Sequence, residues 1–223
     1  MKSTRKTAGR AAARGGRRRA AAAPAAPYHH GALREAMLEA AERILERDGI
    51  AGLTLRAAAR EAGVSHAAPK NHFGDVRGLL SELAAVGFAR FGAALVAETQ
   101  EGDPPGVRMA AIGRGYVTFA RQNPGLFLLM FRGERLDFKR PVLQTAAEAA
   151  FGVLAGSVGA QREPRSETPL TLPQAARITA AWSLVHGFAM LMLDGRLQPV
   201  IASVRGGTDE MALLNAILTN PGS

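Results

Sequence analysis

The 223-residue chain contains no cysteine. That excludes disulfides and thiolate metal sites, and it suits a reducing compartment. No useful stretch alternates apolar and polar residues at period two, so a sheet protein is excluded, and no segment repeats. There is no glycine-rich phosphate loop, no nucleophile elbow and no pair of carboxylates that stands out from surface charge. An enzyme reading therefore has little to rest on. A long uninterrupted apolar run is also missing. ITAAWSLVHGFAMLML (178–193) is shorter than the 18 or more residues expected of a membrane span, and it contains His186. A helix apolar on every side is more simply buried between other helices or across a dimer interface.

Acidic residues are absent from the first 27 positions, which hold Lys2, Arg5, Lys6, Arg10, Arg14, Arg17, Arg18 and Arg19. The formal net charge is +9, and beyond Pro27 only twenty cations face nineteen acids. The basic character thus belongs to the tail. Ala, Gly, Arg and Pro cannot bury enough surface to fold alone, so residues 1–27 are expected to be disordered. Two readings stand side by side: an arm that adds salt-sensitive, sequence-blind affinity for nucleic acid, or a solvated extension with no dedicated role. AAAAPAAP makes a poor secretory core, and a transit peptide fits the composition somewhat better. Deleting residues 1–27 separates a specific DNA binder, which keeps its preferred site with a shallower salt slope, from a tail-driven binder, which loses everything.

After Pro27 the pattern is helical. Leu33, Met37, Ala41 and Ile44 recur at helical spacing until Gly49 and Gly52. Thr54 is a good N-cap for a short second helix whose inner face is Leu55, Ala58, Ala59 and Ala62. Gly63 and Val64 turn the chain, Ser65 caps a third helix, Gly74 stops it, and Asp75 caps a long fourth one running towards Glu98. Further helices are expected over Val107 to Gln122, Gly125 to Arg132, Phe138 to Val158, Pro173 to Asp194 and Thr208 to Thr219. Residues 159–172 read as a polar, proline-rich loop. The fold expected is all-α: a three-helix N-terminal unit (28–75) and a larger helical bundle (76–223), with about nine helices.

The stretch GVSHAAPKNHFGDVRGLL (63–80) carries the chemistry. Two short helices joined by a tight glycine turn, braced by an amphipathic helix, form the arrangement that lays a recognition helix in the DNA major groove. Leu55, Ala58, Ala59, Val64 and Phe73 supply a small core, so His66, Lys70, Asn71 and His72 are expected to point outward. Ala67 and Ala68 keep the leading edge thin; small side chains can touch a thymine methyl, and Asn can pair twice with adenine. Counted from a Ser65 cap, Pro69 is the fourth helical position. A mid-helix proline costs about 3 kcal/mol, but the first amides of a helix have no intrahelical partner, so less is expected here. The expectation is that Pro69 stiffens a presented edge.

Residues 28–80 resemble the N-terminal helix-turn-helix domain of the TetR family of bacterial transcriptional regulators. The features that carry the likeness are Thr54, Ala58, Ala62-Gly63-Val64-Ser65, His72-Phe73 and Leu79. YHHG and VSHAAP are further similar to a subgroup whose C-terminal domain has a Trp, His, Gly signature, which Trp182, His186 and Gly187 fit, and ARQNPGLFLLMF (120–131) is similar to a segment of such domains. The resemblance implies a DNA-reading set of Thr54, Arg56, Ser65, His66, Ala67, Ala68, Lys70, Asn71, His72 and Arg77. Within it His66, Ala67, Ala68 and Asn71 would lie along base edges, while Lys70 and His72 would meet phosphates. The chain departs from the family at two positions. Lys70 stands where an aromatic, mostly Tyr, is usual, and Val76 stands where Lys is usual. Lys70 and Arg77 would supply the missing phosphate contacts.

The same resemblance implies a cytoplasmic, nucleoid-associated homodimer that binds a near-palindromic double-stranded operator and responds to a small apolar ligand. Helices 173–194 and 208–219 would form the dimer interface, with Gly187 allowing close approach. Apolar ligand cavities in helical domains lie between helices, and the candidate lining here is Phe91, Tyr116, Phe119, Phe127, Met130, Phe131, Trp182 and His186. His186 itself reads first as a core histidine bonded to a neighbouring carbonyl. No cofactor is expected, and no metal, because no histidine pair has i, i+4 spacing with a carboxylate to complete it. Two competing readings are a helical enzyme and a non-specific nucleic-acid binder with a basic targeting tail.

Overall fold

The computed structural model describes residues 30–65, 68–157 and 169–219, with ten α-helices, one 3₁₀ turn and no strand among them. The basic tail, His29, His66, Ala67, Val158 and most of the proline-rich loop lie outside the described residues.

α1 (His30–Gly52) buries Leu33, Met37, Ala41, Ile44 and Leu45, a stripe at three- and four-residue spacing. Gly49 does not end it but kinks it, at φ 69° and ψ −175°. α2 (Leu55–Glu61) starts where Thr54 Oγ1 accepts the Ala57 N–H at 3.0 Å. Ala58 and Ala59 are wholly buried, and their small side chains let α2 lie close to α1. The chain then reverses at Gly63, whose φ of +68° is strained for any residue with a Cβ. α3 (Ala68–Phe73) follows and is anchored by Phe73, which is fully buried.

α4 (Val76–Val96) opens on Asp75, whose Oδ1 accepts the Gly78 N–H at 2.8 Å. It packs on α1 and α3 and also on α5 (Pro105–Gln122), α6 (Pro124–Met130) and α7 (Pro141–Ser157). One helix therefore belongs to the cores of both units. The 3₁₀ turn Gly133–Arg135 leads into α7. α7 begins at Pro141, not Phe138, because proline is favoured at the first helical position while Leu136, Asp137 and Arg140 are bonded to α4.

α8 (Leu172–Leu193) is opened by a Thr171–Gln174 capping box. Its 22 residues match the helix expected over Pro173 to Asp194, and like α4 it is long and apolar enough to cross a membrane. The two differ in burial: 61% of the apolar window of α4 is inside the fold against 22% for α8. α9 (Gln198–Ser203) was not expected from the sequence, and α10 (Glu210–Thr219) closes the described chain.

Candidate functional site

The described DNA-reading candidates lie on or next to α2 and α3 and at the start of α4. Thr54 and Arg56 at the start of α2 are exposed, as are Ser65, Lys70 and Asn71; His72 is half-buried beside Phe73. Thr54 is exposed while its hydroxyl oxygen caps α2. Of Ala68 only the backbone is described. Pro69 departs from expectation. It is buried, so its ring braces the inner side of α3 instead of stiffening a presented edge. It lies in the first turn of the described helix, where the missing N–H leaves no ladder bond unmade.

Arg77 is held within the chain. Its Nε and Nη2 donate to the Leu136 carbonyl at 3.0 and 2.6 Å, drawing the guanidinium onto the segment before α7. Val76, in the preceding position, is 38% exposed. The same segment is gripped twice more. Ser81 is fully buried on α4; its hydroxyl donates to the Arg77 carbonyl and accepts the Asp137 N–H at 2.8 Å.

The third grip is a charged cluster. Glu82 on α4 has a side chain only 10% exposed. One oxygen accepts Arg34 Nε of α1 at 2.6 Å, and the other accepts Arg140 Nη1 at 3.2 Å. Arg140 Nη2 then donates to the carbonyl of Phe73, the last residue of α3, at 2.7 Å. A buried carboxylate is costly unless paired and bonded, and here both oxygens are used. Gly78 makes the approach possible. A Cβ at this position would lie 1.9 Å from the Phe73 carbonyl oxygen and 2.4 Å from Arg140 Nη2.

Two turns further along α4 the interior changes character. Phe91, Tyr116, Met130, Phe131 and Trp182 line a cavity of about 290 Å³, together with Phe88, Gly133, Phe138, Phe151 and Leu154. Phe119 and Phe127 do not face it; they are buried behind, ring to ring with Phe91 and Tyr116. His186 is also behind the wall, and its partner is a hydroxyl, not the carbonyl expected. Tyr116 Oη lies 2.8 Å from His186 Nδ1 and accepts from Trp182 Nε1 at 3.2 Å. A phenolic oxygen accepts as well as donates, so the direction of its bond with His186 follows the tautomer of the imidazole. Burial agrees with a neutral trio: it pushes the Tyr116 pKa far above its ordinary value and lowers that of His186. Among the described residues, no cluster of three or more His, Asp or Glu could hold a metal ion.

Residues 109–212 match the model of the tetracyclin repressor-like C-terminal domain. A solved protein of unknown function from Rhodococcus sp. RHA1 is 34% identical, with 86% of this chain and 93% of that one covered and a TM-score of 0.64. The chain belongs to the TetR family of transcriptional regulators. A TetR family transcription regulator from Marinobacter aquaeolei shares the fold at 17% identity, covering 84% of this chain and 94% of that one, with a TM-score of 0.57. The nucleoid occlusion factor SlmA of Marinobacter nauticus is 26% identical over 170 residues, 76% of this chain and 84% of that protein.

For this TetR-family chain, sequence reasoning missed Glu82, Arg140 and Gly78, which join the two units. A cation, an acid and a glycine separated by as many as 62 positions carry no local signal of a shared contact. Phe138 and Phe151 were missed as cavity walls for the same reason, although their exposure of 44% and 37% marks them once the fold is known.

Proposed function

We propose that this TetR-family regulator binds a near-palindromic operator as a homodimer, and that an apolar ligand in the aromatic cavity alters how it holds DNA. In each subunit residues 28–75 would read DNA, with Asn71 on a base edge and Lys70 on a phosphate. Residues 76–223 would bind the ligand and the second subunit, in the cytoplasm on nucleoid DNA. The exposed apolar face of α8, with Leu184 and Leu191, is the surface a second copy would cover. A Cβ on Gly187 would meet nothing within 4 Å, which leaves the close approach open.

The observation that carries the reading is the joint. Gly133 and Phe138 line the cavity, and the same short segment reaches α4 through Leu136 and Asp137 and the end of α3 through Arg140. A ligand that favours one position of this segment favours one position of the recognition helix. Two bound subunits must present their helices about 34–36 Å apart, so a small displacement at the joint changes operator affinity.

Mobility shifts with DNA flanking the protein's own coding region would find the operator. Lys70→Ala should weaken binding to all sequences alike and reduce the salt slope by about one, whereas Asn71→Ala should relax preference at one base pair by about 1–3 kcal/mol. An Asn71→Ala protein with unchanged sequence preference would remove Asn71 from the base-reading set.

A further inference from the structure

The segment between α6 and α7 carries charges that neither the joint nor the cavity uses. Arg132, Arg135 and Lys139 are exposed, and their cationic groups have no partner among the described residues. Of the two acids between them, Asp137 is half-buried, with one carboxylate oxygen accepting the Lys139 N–H, and Glu134 is exposed. The Arg140 N–H donates to the Asp137 carbonyl at 3.1 Å, which closes a four-residue turn with Phe138 and Lys139 at its tip. Both ends of this turn are tied down: Asp137 to Ser81 near the start of α4, and Arg140 to Glu82 and to the carbonyl that ends α3. Phe138 lines the aromatic cavity, and Lys139 is left to solvent beside the junction of α3 and α4. At that junction Gly74, Asp75, Val76 and Arg77 are all exposed. Val76 is apolar and Arg77 gives two nitrogens to the Leu136 carbonyl, so the turn brings the free positive charge beside the start of α4.

We propose that this turn is a second DNA-contacting element, in which Lys139 meets the phosphate strand bordering the groove that α3 reads. α3 has six residues and is about 9 Å long, while the major groove is about 12 Å wide, so the end of α3 lies near one of the bordering strands. Arg140 bonds the turn to that end, and Lys139 is the adjacent residue. An ammonium on a flexible four-carbon stem reaches a phosphate as a point charge and needs no fixed fork geometry. Arg132 and Arg135 add positive potential on the same segment, and Glu134 takes part of it away. A phosphate contact carries no sequence information; it adds affinity and fixes the register of the subunit on the duplex. The turn belongs to the effector domain, so that domain holds DNA directly as well as through its grip on α3. The inference rests on the operator-binding reading above and extends the DNA-contacting surface beyond residues 28–75.

The test uses the full chain and the operator found by mobility shift, with affinity measured from about 50 to 200 mM salt. Each phosphate contact contributes about 0.9 to the slope of log affinity against log salt. Lys139→Gln should therefore lower the slope by about 0.9 per subunit and weaken binding roughly ten-fold, to operator and unrelated duplex alike. Lys139→Arg should keep both slope and affinity. Arg108→Gln removes an exposed cation from α5, which starts beyond the far end of α4, and should leave the slope unchanged. Ethylation interference should reveal one phosphate per half-site whose modification weakens the wild type but not the Lys139→Gln protein. Thermal unfolding of the Gln variant should match the wild type, because the ammonium has no described partner to lose. An unchanged salt slope would overturn the proposal even if binding were weaker, because the turn would then act only by positioning α3. A Lys139→Gln protein that prefers different base pairs would overturn it too. A wild-type protein that prefers no sequence would sink the operator reading instead, and the slope on any duplex would still decide the contact at Lys139.

Discussion

The joint around Glu82 and the interior around Tyr116 are both polar networks inside a helical protein, but they are built from opposite materials. The joint uses full charges and backbone carbonyls: Arg34 and Arg140 on one carboxylate, Arg140 on Phe73 O and Arg77 on Leu136 O. The interior uses three neutral groups among aromatic rings, Trp182, Tyr116 and His186. Long cations bonded to particular oxygens tolerate few alternative arrangements, so the joint fixes one placement of the recognition helix. Aromatic walls are non-directional and can close on different ligands. Geometry is specified where the two units meet, and adaptability is kept where a ligand enters.

Gly78 is the most direct way to break the contrast from the joint side. On α4, Gly78→Ala gains up to about 1 kcal/mol of helix propensity. Against that, a Cβ 1.9 Å from the Phe73 carbonyl forces α3 and Arg140 away, and overpacking typically costs about 1–3 kcal/mol. The clash is with backbone, so it should win. The variant should lose about 2 kcal/mol in denaturant unfolding and most of its operator affinity, while binding in the aromatic cavity persists. A more stable Gly78→Ala protein with normal operator affinity would mean that the end of α3 is free to move.

Glu82→Gln tests the charge itself. Removing one partner of a fully buried pair costs about 3–5 kcal/mol. Here the arginine side chains are 43% and 29% exposed, so water relieves part of that loss, and about 1–2 kcal/mol is expected. Adding Arg140→Met to the Gln variant should cost less than the two single changes together, because each removes the same bond. Strict additivity in urea titrations would show that Arg140 and Glu82 act independently.

The two regions were not equally legible beforehand. The Thr54 and Asp75 caps, the Gly63 turn and the inward Ala58, Ala59 and Phe73 follow from rules that act within four residues, and they stand as read. The aromatic interior was half legible. Helical spacing marks Phe91, Tyr116, Phe119, Phe127 and Phe131 as inward, but which of them borders a space depends on how α5, α6 and α8 stack. The joint was illegible. Arg77 is bonded to Leu136 from 59 positions away, which no local pattern announces, and Pro69 has the look of an outer edge until the chain around it closes.

Tyr116→Phe sharpens the comparison from the interior. The change keeps the ring and its edge contacts with Phe91 and Phe127, and it removes the hydroxyl shared by Trp182 and His186. A neutral hydrogen bond is worth about 1 kcal/mol net. Both partners are only partly buried and can turn to water, so about 1 kcal/mol in thermal unfolding is expected. The emission of Trp182 should shift as its indole N–H loses its acceptor, with operator affinity in the absence of ligand unchanged. A Tyr116→Phe protein with weakened operator binding would show that the neutral network also positions the recognition helix.

The smallest expected effect is a pH dependence. Burial lowers the pKa of His186 in the fold from its ordinary 6.5, so the unfolded chain takes up a proton before the folded one does. Stability from this group is therefore complete above about pH 6.5 and is lost as the pH falls from there through the lower folded value. In the doubly protonated ring Nδ1 carries a proton, so the Tyr116 hydroxyl then accepts from it. His186 is only half-buried, so the decline should be shallow. His186→Gln should flatten this part of a stability–pH curve measured between pH 7.5 and 5. A decline that survives in His186→Gln but vanishes in Glu82→Gln would move the pH-sensitive group from the interior to the joint.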